Sequence, residues 1–100
     1  MRQGTTPRHT FELPFGVDVI DKVRVIYSQN GINKLIKEKG DCILEGNTVQ
    51  VNLTQEDTFL FDCRYPVKLQ VRVLTIGGDA LATEPYSMTV YECLEMEVIK

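Results

Sequence analysis

Apolar residues recur at every second position in segment after segment, the period of a pleated strand whose successive side chains point to opposite faces. Phe11, Leu13 and Phe15 share one parity, with Thr10 and Glu12 on the other and Pro14 near the end. Val23, Val25 and Tyr27 alternate with Lys22, Arg24 and Ser28, and the run reaches Asn30-Gly31. Asn-Gly readily takes the positive φ values of a tight type I′ turn, so residues 20–29 and 32–38 are expected to form a hairpin. Ile32, Leu35 and Ile36 would also line one face of a helix; the adjacent turn decides for strand.

Gly40-Asp41 and Glu45-Gly46-Asn47 bracket a short apolar stretch from Cys42 to Leu44. Val49, Val51 and Leu53 then alternate with Thr48, Gln50 and Asn52, which predicts two further strands. Thr54-Gln55-Glu56-Asp57 reads as one helical turn, with Thr54 as cap and acids at the positive helix end. After Pro66, Val67, Leu69, Val71 and Val73 alternate with Lys68, Gln70 and Arg72, the pattern of a central core strand. Ile76-Gly77-Gly78-Asp79-Ala80 reverses the chain into a partner strand that resumes after Pro85. Met88, Val90, Leu94, Met96 and Val98 on even positions predict a long last strand, with Glu92 as its mismatch. Pro7, Pro14, Pro66 and Pro85 all fall at strand boundaries, where a missing N–H costs no central ladder bond.

About seven short strands with one short helical turn predict an all-β fold, an antiparallel two-layer β-sandwich of immunoglobulin-like architecture; a small barrel is the alternative. Residues 1–100 make one domain, since this length has room for a single core. A composition of 43% hydrophobic and 25% charged residues is that of a globular chain, which argues against disorder. Tryptophan is absent and no core disulfide suggests itself, so a true antibody-type domain is not expected. The longest apolar runs fall far short of the roughly 18 residues that cross a bilayer, and no signal-like segment is seen. The expectation is a cytoplasmic product that neither spans nor binds membrane.

A net charge of −3 with mixed signs gives no reason to approach nucleic acid. Cys42, Cys63 and Cys93 are odd in number and widely spaced, which fits reduced, buried thiols better than a disulfide framework. A zinc site is disfavoured because no Cys-x-x-Cys pair exists and His9 is the one histidine. No cofactor is expected.

His9 shares parity with Phe11 and Leu13, which places it at the rim of the core; as a general base it would lack an assignable nucleophile. Asp18 with Asp21, Glu56 with Asp57, and Glu92, Glu95 and Glu97 invite comparison with paired catalytic or cation-binding carboxylates, but solvated strands and turns account for them. Gly77-Gly78 lacks the rest of a phosphate-binding loop. Asn52-Leu53-Thr54 matches a glycosylation acceptor by chance, and Tyr65 is a candidate for a corner hydrogen bond of the sandwich type. An enzyme is therefore not expected.

Two features suit association. The polar opening through Arg2, Gln3, Thr5, Thr6 and Pro7 reads as a flexible arm that could join a neighbour's sheet, so its removal should weaken assembly and leave the domain folded. Tyr91 and Cys93 lie on the otherwise polar face of the last strand and mark a contact patch.

The segments Gln3-Gly4-Thr5-Thr6-Pro7, His9-Thr10-Phe11, Leu13-Pro14-Phe15, Val23-Arg24-Val25-Ile26-Tyr27-Ser28-Gln29-Asn30-Gly31, Leu53-Thr54-Gln55-Glu56-Asp57-Thr58 and Val71-Arg72-Val73-Leu74 carry a resemblance over most of the chain. They resemble a group of small β proteins encoded in phages and prophages of Gram-positive bacteria, and in style the β-sandwich modules that attach fibres to baseplates. The resemblance implies a non-enzymatic structural module of a virion (tail, baseplate or fibre attachment) whose partners are other virion proteins or itself. A regulatory protein- or peptide-binding module is the second expectation, and a small hydrolase using the scattered carboxylates the third.

Overall fold

The computed structural model describes residues 1–100. Eight strands run in chain order β1 (Arg8–Glu12), β2 (Ile20–Gln29), β3 (Ile32–Glu38), β4 (Cys42–Glu45), β5 (Thr48–Asn52), β6 (Val67–Thr75), β7 (Ala80–Ala82) and β8 (Tyr86–Met88). One α-turn, α1 (Gln55–Phe59), and two 3₁₀ turns at Val17–Val19 and Lys39–Asp41 complete the chain. The strands form two antiparallel sheets, β1-β5-β4 and β3-β2-β6-β7, with β8 beside β6. The result is the all-β two-layer sandwich read from the alternation, not a barrel, with one strand more than expected.

The extra strand comes from the stretch after Gly77-Gly78. Thr83 breaks the run along β6, its hydroxyl accepting the Val71 N–H where a main-chain carbonyl would sit and its own carbonyl accepting from Gln70. Two three-residue strands, β7 and β8, thus replace one continuous partner.

The parity of the sequence is the packing of the sheets. Val23 lies opposite Val73, Val25 opposite Val71 and Tyr27 opposite Leu69 across β2 and β6. These meet Phe11, Val49 and Val51 of the facing sheet in a cluster of 15 buried apolar residues. Burying each such side chain stabilises by about 1.5–3 kcal/mol. Only 18 residues in all are buried, so a single core layer carries the fold. The molecule is 16 Å in its thinnest dimension, as two sheets about 10 Å apart require.

The Asn30-Gly31 turn joins β2 to β3 with φ of 50° and 79°, the left-handed pair a type I′ turn needs. Thr54 caps α1, its hydroxyl accepting the Asp57 N–H while the Asp57 carboxylate accepts the Thr54 N–H. The cap is the one anticipated at Thr54; the returning bond from its N–H to Asp57 makes it a reciprocal capping box.

The long last strand does not form. Past Met88 the chain leaves the sheet, and Leu94, Met96 and Ile99 stand 97%, 57% and 76% exposed. Val90 is buried in the core, whereas Tyr91 makes an isolated parallel bridge to Arg2. Beyond it the backbone is held by side-chain amides: the Cys93 N–H donates to Gln3 Oε1, and the Gln55 carboxamide both donates to and accepts from Ile99. Alternation alone does not make a strand; a partner edge must be free, and β8 with β7 already occupies this side of β6.

The cysteines are all free, but the expectation of buried thiols holds only in part: Cys63 is exposed in the turn before β6, and Cys42 and Cys93 are half-buried.

Candidate docking surface

His9 and Gln29, polar residues on the core parity, each have hydrogen-bond partners. His9 and Tyr27 enter from opposite sheets, and the His9 Nδ1 lies 2.8 Å from the Tyr27 hydroxyl. Burial pushes the Tyr27 phenol far up, with the nearby Cys42 and Asp57 adding to it, so the hydroxyl keeps its proton and shares a hydrogen bond with Nδ1 whose direction follows the imidazole tautomer. Burial, then the chain's ammonium, lowers the His9 pKa and favours the neutral ring. His9 is thus at the core rim, fastened to the opposite sheet. Cys42 faces the same layer, both residues being in register with Val51, and burial pushes its thiol up, away from the nucleophilic thiolate.

Gln29 continues the inward parity of Val23, Val25 and Tyr27 as a polar side chain only 1% exposed. Its Nε2 donates to the carbonyls of Asp62 and Tyr65, and its Oε1 accepts from the Asp62 N–H and from Lys34 Nζ. Lys34 is the extra residue of the bulge where Tyr27 pairs Leu35 and Ser28 pairs Asn33. The carboxamide thereby shapes the turn that launches β6. Tyr65 contributes its carbonyl there, while its ring is exposed beneath the Arg64 guanidinium; no corner hydrogen bond forms.

The opening segment is packed onto its own chain and is not a free arm. Gln3 is buried, its Nε2 donating to the Phe61 carbonyl, while its N–H donates to the Tyr91 carbonyl and Tyr91 donates to Met1. Gly4 sits at φ +76°, and a Cβ there would come within 2.8 Å of the Phe59 ring, so glycine permits this approach. Its N–H donates to the buried Thr58 hydroxyl, whose one proton is shared between the Thr5 and Gln55 carbonyls. The Thr5 hydroxyl donates to the Arg2 carbonyl, Thr6 is exposed, and the Pro7 carbonyl accepts the Leu53 N–H. Arg2 lies over the Tyr91 ring at 5.3 Å and donates to the Glu92 carbonyl. The expected contact residues are therefore brought together with each other: Arg2 and Tyr91 form one exposed patch, whereas Gln3 is withdrawn from it. The cause is that the opening supplies donors and acceptors to the 89–93 segment, which has no strand of its own.

The scattered carboxylates stay apart; no three of His, Cys, Asp or Glu gather into a cation-holding group. Asp57 pairs with Lys37 at 3.0 Å, joining β3 to α1, and Asp62 with Arg64 at 2.7 Å.

The open surface is an edge. β1 closes one side of its sheet, and the bonds Leu53 N–H to Pro7 and Leu13 N–H to Asn47 fix which residues of β1 turn their peptides toward β5. Those are the odd positions, so the N–H and C=O groups of Arg8, Thr10 and Glu12 point away from the sheet. Beside this edge a groove of about 620 Å³ runs to β8, lined by His9, Phe11, Leu69, Tyr86 and Met88 among others. Tyr86 is half exposed and its ring lies 6.0 Å from that of Phe11. Residue parity in the sequence identified β1 but not its freedom, which depends on the order of strands in the sheet.

No protein-family model matches the chain, and no curated protein matches it. Among solved structures it is similar to the V domain of amphioxus IgVJ-C2, at 17% identity over 90% of this chain and 96% of that one, with a TM-score of 0.37.

Proposed function

We propose that the protein is a non-enzymatic docking module of a phage or prophage particle, receiving an extended segment of another virion protein as an added strand on β1. The supporting observation is the unpaired edge at Arg8, Thr10 and Glu12 beside a groove of mixed polar and apolar lining, the arrangement in which main-chain bonds give affinity and pockets give specificity. The particle setting draws on the resemblance of the sequence segments. A regulatory peptide-binding module is the second reading, since the same edge would serve a transient partner.

Thr10→Pro tests the edge, because it removes an outward N–H and leaves the bonds between β1 and β5 in place. The wild-type chain is expected in purified particles of the phage whose genome encodes it, and the folded Thr10→Pro chain is expected to be absent from them. Absence of the wild-type chain from particles would overturn the virion setting. Equal incorporation of the variant would overturn the role of β1.

A further inference from the structure

On the outer face of the larger sheet, β2 and β6 bring Arg24 directly opposite Arg72, with Lys22 opposite Leu74. Like charges placed directly across strands destabilise a sheet. Arg24 has a solvent-exposed partner in Glu38 at 3.5 Å; Lys22 and Arg72 have no ion pair. The small side chain of Ala80 on β7 leaves a cleft of about 220 Å³ over β6, lined by these three cations and by apolar residues including Leu74, Ala80 and Leu81. In a chain of net charge −3 this is a local reversal of sign.

The same chain carries the complement. Glu92, Glu95 and Glu97 form no ion pair, and the residues between them, Leu94 and Met96, are exposed in a segment outside both sheets. Straightened on docking, with the bends at Leu94 and Glu97 removed, Glu95 and Glu97 would lie about 6.8 Å apart, the two-residue pitch that separates Lys22 from Arg24 along β2. We infer that residues 92–98 of one copy dock in the Lys22–Arg24–Arg72 cleft of a second copy. The acids turn toward β2 and Arg72, and Met96 turns toward Leu74 and Ala80. Because cleft and segment are different surfaces, the contact is head-to-tail and propagates into a ring or filament. The inference rests on the docking-module reading and gives it a self-associating contact distinct from the β1 edge.

Two charge-reversed chains test it: Arg24→Glu with Arg72→Glu, and Glu95→Lys with Glu97→Lys. Light scattering after size exclusion is expected to show the wild-type mass rising with concentration and falling in 1 M salt. Each reversed chain alone is expected to associate at least tenfold more weakly, and an equimolar mixture to recover, since acidic segment again meets basic cleft and basic segment meets acidic cleft. Circular dichroism verifies folding; should a reversed chain unfold, Arg72→Gln and Glu97→Gln are measured for the same weakening. A wild-type monomer at all concentrations, or reversed chains that associate as wild type or fail to recover on mixing, would overturn the contact. The edge reading is decided separately by Thr10→Pro incorporation into particles.

Discussion

Two polar side chains on the inward parity of β2 and β1 carry disproportionate weight. Truncating Gln29 to alanine strands the Asp62 N–H and the Asp62 and Tyr65 carbonyls in a half-buried turn. The expected cost is about 2–3 kcal/mol, read as a lower urea midpoint, against a few tenths for an exposed glutamine. His9 sets a pH dependence. Its folded pKa lies below the ordinary 6.5, so its contribution is fully present above that pH and is lost as pH falls through the folded value. Urea midpoints between pH 8 and 5 should therefore decline below about pH 6.5, and His9→Gln should flatten that decline; an unchanged slope would refute the assignment. Both residues sit where the alternation calls for an apolar side chain, and that mismatch was visible as sequence. Their partners, Tyr27 and the 62–65 turn, were not, because they come from the facing sheet or from residues more than thirty positions away.

Local chemistry specified most elements: Asn30-Gly31 set the hairpin, Thr54 the helical turn, and the prolines the strand ends. It failed where the outcome depended on competition for an edge. The alternation from Met88 to Val98, broken at Glu92, asks for a strand, but β7 and β8 hold the available ladder, and 89–99 is left to the backbone of residues 1–3 and to side-chain donors and acceptors. The link between β3 and α1 was equally hidden, since Lys37 meets Asp57 only in three dimensions. Burial works to raise the Asp57 pKa, but hydrogen bonds from Thr54 and Lys37 together with the lysine charge outweigh it and hold the carboxyl below 3.8. Its contribution is thus present above that pH and lost as acidity increases through the folded pKa. Asp57→Asn should be less stable than wild type at pH 7, by about 1 kcal/mol for the capping part alone, and the gap should close below about pH 4. Parallel acid titrations of the two chains followed by circular dichroism check this.

At the scale of the molecule the opening residues are closed against the 89–93 segment while the β1 edge, one of the sheet edges, stays open. Residues 1–5 satisfy the 89–93 backbone, α1 and Phe61 at once, so the opening is part of the fold's hydrogen-bond inventory. Removing residues 2–6 takes away the buried Gln3 carboxamide and leaves the Phe61 carbonyl, the Thr58 hydroxyl and the Cys93 N–H without these partners. The truncated chain should unfold at lower urea, and its Tyr91 and Cys93 amides should exchange with deuterium on the order of tenfold faster or more. Thr10→Pro, at an edge whose outward groups bond to nothing in the chain, should leave both measurements near wild type. The contrast separates segments that hold the sandwich from a segment free to bind: a truncation with unchanged stability and exchange would return the opening to the role of a loose arm, and a destabilised Thr10→Pro chain would show that β1 is not a spare edge.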